Sequence, residues 1–210
     1  MREKILTLTT TILILGFQIC VSQEITFEIN NLDLVNREVM SIDDPKGTLV
    51  LGSEKGPGLA KIKNASFEKG TIELELKGDT ITGFFPGFAF NIQNDSTYEA
   101  IYFRPRNFRA ADRIRREHSV QYISHPKYTW RYLRANNEGE FESDYPRKPA
   151  SDEWLGVRLK IDDDRILVYD QRTGNELLSV ERLTKQISDS IGLWTGNIST
   201  GKFRNLKIIK

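Results

Sequence analysis

Alternation of apolar and charged side chains with a period of two is the feature that most constrains this fold. Residues 70–78 place three aliphatic side chains on one face of an extended chain and three charged ones on the other: Ile72, Leu74 and Leu76 against Glu73, Glu75 and Lys77. A strand of this kind buries one face and leaves the other in water, which is typical of antiparallel sheets that pack on a core.

Further short strands, separated by polar turns, are predicted along the chain. Residues 87–92 and 98–104 predict a hairpin across the turn 94–96, and a second hairpin is predicted around the acidic triplet 162–164. The strands of that second hairpin and the remaining single strands are 155–161, 165–169, 119–124, 191–196 and 203–209. Many short strands with regular turns predict an all-β, two-sheet antiparallel β-sandwich. Strands without assigned partners are expected in residues 23–58.

Helices are expected only as one or two short pieces. Residues 110–116 and 126–134 are the candidates, and Pro126 would suit the first turn of the second one, because proline loses no helical hydrogen bond there. Trp154 and Trp194 stand beside or within predicted strands and are assigned to the core.

The first 22 residues have the pattern of an export signal. A short charged start precedes the apolar residues 5–19, a run too short to span a bilayer comfortably, and small side chains at Cys20 and Ser22 favour cleavage after Ser22. A lipid anchor on Cys20 is a less favoured alternative. We therefore expect an exported protein, periplasmic or extracellular, whose single domain covers residues 23–210. No second long apolar run follows, so we expect no membrane insertion after the signal is removed.

Charge and cysteine content exclude several classes of function. The chain has 30 basic and 29 acidic residues, without the basic excess that neutralises phosphates in nucleic-acid-binding proteins. Its one cysteine, Cys20, lies in the predicted signal, so neither a disulfide nor thiol chemistry is expected in the mature chain. No phosphate-binding glycine-rich loop is present, and we expect no cofactor.

Several stretches resemble the concanavalin A-like lectin/glucanase superfamily. The resemblance lies in Trp154, the hairpin of residues 160–169, Gly192-Leu193-Trp194 and Phe203-Arg204-Asn205-Leu206. Residues 64–73 resemble an early strand of the bacterial 3-keto-disaccharide hydrolase-type domain, and residues 98–105 and 118–130 resemble secreted proteins frequent in Bacteroidetes-type bacteria. The resemblance implies a concanavalin A-like jelly roll, a fold that carries lectins, glycanases and inert modules alike.

Known catalytic and metal-binding patterns are incomplete in this sequence. A retaining glucanase needs two carboxylates about 5 Å apart. The laminarinase-type motif of the superfamily is broken here, because Lys77 stands where the third acid after Glu73 and Glu75 would be. The two histidines are not spaced as a ligand pair, and the triplet 162–164 lacks the glycine and distal glutamate of a calcium loop, so no metal is expected.

The segment 98–134 is the candidate ligand site. It is rich in arginine and holds both histidines and five of the seven tyrosines. Aromatic faces stack on the C–H surfaces of sugars, and arginine forks onto carboxylate or sulfate groups. The residues we expect to contact a ligand are Tyr102, Arg104, Arg106, His118, Tyr122 and His125, followed by Gln121 and Trp130. Alternatively, the basic charges pair with the acidic stretch 135–164 and bind nothing.

Three functions follow from these observations. The first is carbohydrate binding, for which an acidic glycan is one candidate ligand. The second is hydrolysis of a glycoside or 3-keto-glycoside, in which His118 or His125 would act as acid or base because histidine titrates near neutral pH. The third is a non-carbohydrate interaction module.

Overall fold

The computed structural model describes residues 21–43, 47–78 and 85–210, and regular structure in this part of the chain is mostly β-strand. The strands, in chain order, are β1 (Ser22–Ile25), β2 (Leu32–Val35), β3 (Val39–Asp43), β4 (Thr48–Leu51), β5 (Gly58–Ile62), β6 (Gly70–Lys77), β7 (Pro86–Asn94), β8 (Thr97–Phe103), β9 (Val120–His125), β10 (Glu142–Ser143), β11 (Leu155–Ile161), β12 (Arg165–Asp170), β13 (Glu176–Glu181), β14 (Gly192–Thr195) and β15 (Gly201–Ile209). Two short helices, α1 (Arg113–Glu117) and α2 (Trp130–Asn136), flank β9 in the sequence. Residues 1–20, most of the predicted export signal, lie outside the described residues.

The strands pair into two antiparallel sheets. In the first sheet the order is β13-β12-β11-β6-β15-β4-β3, and β1 pairs with β15. In the second sheet the order is β10-β9-β8-β7-β14-β5-β2. Neighbours come from distant parts of the chain, since β6 lies between β11 and β15, and β14 lies between β5 and β7. The all-β, two-sheet sandwich predicted from the sequence is confirmed.

The inward faces of the two sheets form one hydrophobic core. In β6 the three aliphatic residues predicted to be buried, Ile72, Leu74 and Leu76, are at most 1% exposed, whereas the charged residues between them are only partly buried. Each such burial stabilises the fold by about 1.5–3 kcal/mol relative to an exposed side chain. The alternation read from the sequence is thus what holds the two layers together.

A buried polar cluster also joins the two sheets. Glu99 of β8 is fully buried and accepts hydrogen bonds from the hydroxyl of Tyr122 and from the guanidinium of Arg182, which follows β13 of the first sheet. The amide of Asn91 donates to the same carboxylate at 2.6 Å. Because a buried carboxylate is tolerated only when it is paired, these contacts fix the second sheet against the first.

Both predicted hairpins are present. β7 pairs with β8 across a turn at Asp95, and β11 pairs with β12 across residues 162–164. The acidic residues of that second turn are used in surface ion pairs, of Asp163 with Lys69 at 2.8 Å and of Asp164 with Lys185. None of the described helices is long and apolar enough to cross a membrane.

Two local predictions are wrong. Pro126 does not begin a helix: it follows His125 through a cis peptide bond, and α2 begins at Trp130, where the Thr129 hydroxyl accepts a hydrogen bond from a backbone N–H of the first turn. Trp154 is not in the core: it is partly exposed, and the Arg204 guanidinium lies 4.1 Å from its ring centroid.

Candidate functional site

A cavity of about 380 Å³ lies on the outer face of the second sheet, the face turned away from the core. Its walls come from the strands β8, β9 and β14, from the start of α2, and from the segments around residues 57, 85 and 196. The lining residues are Pro57, Phe85, Tyr102, Arg104, Ile123, His125, Thr129, Trp130, Arg134, Trp194, Gly196 and Asn197.

A glycine of β7 lies between two aromatic lining residues of the neighbouring strands and lets their rings meet. In β7, Gly87 is paired with Tyr102 on one side and with Trp194 on the other. A Cβ at Gly87 would lie 2.5 Å from the carbonyl oxygen of Ile101 and 2.6 Å from Cβ of Tyr102. Because that space is occupied, the position admits no side chain. The rings of Tyr102 and Trp194 approach over it, with centroids 4.7 Å apart.

The next row of the sheet surface is also built from small residues. Ala100 of β8 is paired with Ala89 of β7 and with Ile123 of β9, and only Ile123 of these lines the cavity. Beyond them, the His125 ring stacks on Tyr98 with centroids 4.9 Å apart, and the Tyr98 hydroxyl accepts a hydrogen bond from Trp194 Nε1 at 3.1 Å. The outer face thus carries a connected set of rings beside two alanines.

Trp130 forms the exposed wall of the cavity. It is the first residue of α2, and its side chain is 40% exposed. Three guanidinium groups surround the ring, with their central carbons 5.1 Å (Arg134), 5.3 Å (Arg131) and 6.0 Å (Arg104) from its centroid. Such contacts favour a cation over an aromatic face and keep these positive charges at the cavity mouth.

One buried carboxylate positions the arginines. Glu142 of β10 accepts two hydrogen bonds from Arg134, at 3.0 and 2.7 Å, and lies 3.6 Å from Arg104. His118 Nδ1 lies 2.9 Å from the same carboxylate. Two guanidinium groups therefore share one negative charge, which leaves this side of the cavity positive.

Arg104 is held by further hydrogen bonds from its terminal nitrogens. They donate to the backbone carbonyl of His118 at 2.8 Å, to the Tyr102 hydroxyl at 2.5 Å and to Gln121 Oε1 at 3.1 Å. Burial lowers the pKa of Arg104 and raises the pKa of Tyr102 to about 12. The Tyr102 phenol is thus neutral at physiological pH, while a guanidinium remains charged even after such a shift.

Burial also lowers the pKa of His125 below its ordinary value. The imidazole is therefore mainly neutral at neutral pH, so one ring nitrogen is a donor and the other an acceptor. The pKa of His118 is lowered as well, first by desolvation and then by the nearby arginines, against the opposing effect of Glu142.

The opposite rim of the cavity is fixed by Arg37, which lies between β2 and β3. Its guanidinium donates to the backbone carbonyls of Thr195 at 3.0 Å, Gly196 at 2.6 Å and Gly56 at 2.9 Å. The Gly56 N–H in turn donates to Asn197 Oδ1 at 2.8 Å. These contacts hold the segment 195–197 against the loop before β5.

Four of the eight residues predicted to contact a ligand line this cavity: Tyr102, Arg104, His125 and Trp130. Gln121 lies behind them and accepts from Arg104, and His118 stands beside Glu142. These six residues are brought together, although they come from three separate segments of the chain.

Tyr122 and Arg106 lie elsewhere. In the β8–β9 pair, Tyr102 is opposite Gln121 and Ile101 is opposite Tyr122, so Tyr122 points to the inner face. It is fully buried, and its hydroxyl contacts Glu99 and the Leu183 N–H. Arg106 lines a different cavity, beside α1.

Sequence reasoning missed several residues of the site. Trp194, assigned to the core, is 5% exposed but lines the cavity on the outer face. Phe85, Arg134 and Asn197 also line it, and Glu142 and Arg37 position its walls. Correct register of the β7–β8 hairpin would have placed Gly87 opposite Tyr102. Nothing local in the sequence marks Arg37 or Glu142.

The basic segment is only partly neutralised by the acidic stretch that follows it. Glu142 pairs with Arg134, while other acids of that stretch pair outside the segment, as Glu153 does with Arg147. Glu73 and Glu75 lie on the outer face of the first sheet, paired with Arg158 and Arg204 at 2.7 and 2.6 Å. Among the described residues no carboxylate lines the aromatic cavity, and no three histidine, cysteine or acidic side chains form a metal-binding group.

Comparisons with known proteins give the fold by structure alone. No family model matches the chain, and no curated protein matches it. Among solved structures, the carbohydrate binding module CBM66 from Bacillus subtilis is similar with a TM-score of 0.61 and 14% identity, over 84% of this chain and 94% of that one.

Two further structures are similar over most of their length. A β-1,3-1,4-glucanase (lichenase) from a mouse hindgut metagenome has a TM-score of 0.55 and 12% identity, over 91% of this chain and 98% of that one. The exoplasmic/lumenal domain of VIP36 has a TM-score of 0.54 and 10% identity, over 90% and 87%. Identities this low establish the fold and nothing finer: the chain has the concanavalin A-like jelly-roll fold.

Proposed function

We propose that this chain binds a carbohydrate in the cavity on the outer face of the second sheet, with a preference for an acidic sugar. The observation that carries the proposal is the cavity itself, which is lined by the paired rings of Tyr102 and Trp194 and by the exposed ring of Trp130. The carbohydrate-binding module and the glucanase among the structural relatives give a parallel for the fold.

The size and lining of the cavity suit a small sugar unit. Ligand pockets generally have volumes of about 300–1,000 Å³ and combine apolar walls with a few fixed polar groups. The cavity of about 380 Å³ falls at the lower end of that range. A pyranose ring can lay its C–H face on an aromatic ring, while the His125 nitrogens are polar groups that meet hydroxyls.

The charge around Trp130 supports the acidic preference. Arg104 and Arg134 share the single carboxylate of Glu142, and Arg131 is exposed at the mouth. A carboxylate or sulfate on the sugar would complete the pairing of these guanidinium groups, and arginine recognises such planar or tetrahedral anions through two parallel hydrogen bonds.

Isothermal titration with matched ligands tests both parts of the proposal. A uronate-containing oligosaccharide is compared with the same oligosaccharide after reduction of its carboxyl groups. We expect both to bind, the acidic form about tenfold more tightly, as expected for one charge-assisted contact. Absence of binding to either ligand, and across a panel of neutral and acidic polysaccharides, would overturn the proposal and favour a non-carbohydrate interaction module.

Two variants on the same helix locate the binding. Trp130→Ala removes the exposed ring of the cavity wall and is expected to weaken binding about tenfold, the loss of one stacking contact. Tyr132→Ala is the matched control, because Tyr132 is equally exposed, at 38%, but does not line the cavity. Equal losses in both variants would place the ligand elsewhere.

Hydrolysis of a glycoside or 3-keto-glycoside is a second candidate, favoured by the neutral His125 on the cavity wall. A neutral imidazole can accept a proton, as a general base must. Turnover of a keto-glycoside or glycoside library member that is lost in His125→Gln would support hydrolysis. Binding without turnover would leave carbohydrate binding as the function.

We also propose that the protein is exported and cleaved after Ser22, on the pattern of its first 22 residues. N-terminal sequencing of the protein recovered outside the cytoplasm should begin at Gln23. A chain that keeps Met1, or one that carries lipid on Cys20, would contradict this assignment.

A further inference from the structure

A second cavity, of about 560 Å³, lies beside α1 and shares no described lining residue with the aromatic cavity. Three arginines stand on its wall: Arg106, Arg109 and Arg115. Much of the remaining wall is alanine, with the short side chains of residues 110, 111 and 150, so there is room beside the guanidinium groups.

The charge balance of this second cavity is positive. Asp112 is the one acidic residue among its described lining residues, and its carboxylate is occupied as the cap of α1, accepting from the Ile114 N–H at 3.0 Å. Glu117, at the end of α1, pairs with Arg113 at 2.7 Å, and neither of these lines the cavity. Arg109 and Arg115, whose printed partners are neutral, therefore face one engaged carboxylate, which favours an anionic occupant.

Two of the arginines are anchored through a single nitrogen. Arg109 Nε donates to the carbonyl of Lys148 at 2.8 Å, and Arg115 Nε donates to Asn107 Oδ1 at 3.1 Å. Asn107 is buried, and its amide donates to the His118 carbonyl at 3.0 Å. Anchoring at Nε restricts each guanidinium plane, and the terminal nitrogens of such a group can then fork onto an oxyanion at a smaller entropic cost.

The loop below these arginines is held in place by a fourth one. Arg116 Nη1 donates to the carbonyls of Ala110 and Ala111 at 2.8 and 2.9 Å, and the Ala110 N–H donates to the Asn107 carbonyl at 3.0 Å. The cavity wall is thus built by contacts within the protein rather than by flexible surface side chains alone.

From this geometry we propose that the cavity beside α1 binds a phosphate or sulfate ester. Several arginine forks around one space match the several oxygens of a tetrahedral oxyanion. The volume exceeds that of the anion, so it also takes the group that bears the ester. This site is independent of the aromatic cavity, and its proposal does not rest on the proposed function.

The experiment follows backbone amide NMR shifts while inorganic phosphate or sulfate is added at constant ionic strength, with chloride as the reference. Saturable shifts of residues 106–116 and 150–151 are expected, whether or not the residues around Trp130 also respond. Dextran sulfate and phosphorylated dextran then distinguish the two esters, with plain dextran as control. Shifts that do not saturate, or that occur equally in chloride, would show general screening of charge and overturn the proposal.

Two double variants with the same net charge distinguish anion binding at this cavity from a general attraction of anions to the positive charge of the protein. Arg109→Gln with Arg115→Gln is expected to weaken anion binding at least about tenfold, because two charge-assisted contacts are lost. Arg113→Gln with Arg165→Gln removes two exposed arginines outside the cavity and should leave binding within about twofold. Equal losses in the two double variants would refute the site. In Trp130→Ala the anion-induced shifts of residues 106–116 and 150–151 should persist, because Trp130 does not line this cavity, so failure of the carbohydrate proposal is seen separately.

Discussion

The outer faces of the two sheets follow the same alternation but present different surfaces. On the first sheet, β6 exposes Glu73 and Glu75, and each is paired with an arginine of a neighbouring strand. On the second sheet, the equivalent outward positions of β7 and β14 hold Gly87 and Trp194. The cavity on the first face is lined by Glu73 and Glu75, whose charges are paired, whereas the cavity on the second face lies between aromatic walls.

This difference shows how a fold shared by many proteins acquires a site. Alternation alone requires only that the outer face be compatible with water, and paired surface charges meet that need at little gain or cost in stability. Small residues and rings on an outer face leave apolar surface exposed in a concave place, which is typical of ligand-binding surfaces. This contrast is the reason for proposing the outer face of the second sheet as the binding face.

Removing one carboxylate from each face should give the largest contrast. Glu142 is buried, with a side chain 3% exposed, between Arg104 and Arg134, so Glu142→Gln leaves their charges unbalanced and should lower the free energy of unfolding by roughly 3 kcal/mol. Glu75→Gln on the first sheet breaks a partly exposed pair, 29% exposed on the acidic side, and should cost less than about 1 kcal/mol. Urea unfolding measures both, and similar losses would contradict the comparison.

Adding one methyl group to each face should give the next largest contrast. Gly87→Ala places a Cβ against the backbone of Ile101 and Tyr102, so we expect a loss of about 1–3 kcal/mol in stability and a displaced Tyr102–Trp194 pair. At Gly156 of β11, on the first sheet, the new Cβ would meet the Gln171 side-chain oxygen at 2.7 Å, and a flexible side chain can move away. Gly156→Ala should therefore cost less than about 1 kcal/mol.

The tryptophan fluorescence of Gly87→Ala provides a second measurement, since the Trp194 ring lies against the Tyr102 ring beside the substitution. A changed emission spectrum together with weaker carbohydrate binding is expected. If carbohydrate binding and the emission spectrum were unchanged while stability fell, Gly87 would be needed for folding but not for the arrangement of the Tyr102 and Trp194 rings.

The sheets could be predicted from the sequence because alternation is local, but their order could not. The pairing of β6 with both β11 and β15 joins residues far apart in the chain, and no local pattern encodes it. The residues of the candidate site were equally hard to predict, because they too come from distant parts of the chain. Segment 98–134 supplied one side of the cavity, whereas Trp194 and the Arg37 clamp came from strands and loops that only the three-dimensional pairing brings near.

Register explains why Tyr122, predicted to contact a ligand, lies on the inner face of the sheet. Tyr122 was selected for its chemistry, yet its neighbour Gln121 is the residue opposite Tyr102. A shift of one residue exchanges the two faces of a strand, so residue type cannot substitute for register. Pairing Gly87, Tyr102 and Gln121 as one row would have predicted Tyr122 inside.

The third contrast is in the pH dependence of stability, and its expected effect is the smallest of the three. A mildly acidic pH should weaken the packing on the outer face of the second sheet and leave the outer face of the first sheet unchanged. Both histidines of the chain, His118 and His125, lie on the side of the second sheet. Burial lowers the pKa of His125 in the folded protein, so the unfolded state binds more protons once the pH falls below about 6.5. The stability contributed by the neutral imidazole is therefore complete above that pH and is lost as the pH falls toward the lower, folded-state pKa.

His125→Gln should remove part of this loss. Between pH 7 and pH 5 the midpoint of thermal unfolding should fall less in the variant than in the unsubstituted protein, by on the order of 2 °C. His118→Gln should change the slope less, because Glu142, 2.9 Å away, opposes the desolvation and arginine effects on His118. An identical pH dependence in His125→Gln and the unsubstituted protein would show that His125 is exposed to water in the folded state. That result would contradict the packing of its ring on Tyr98.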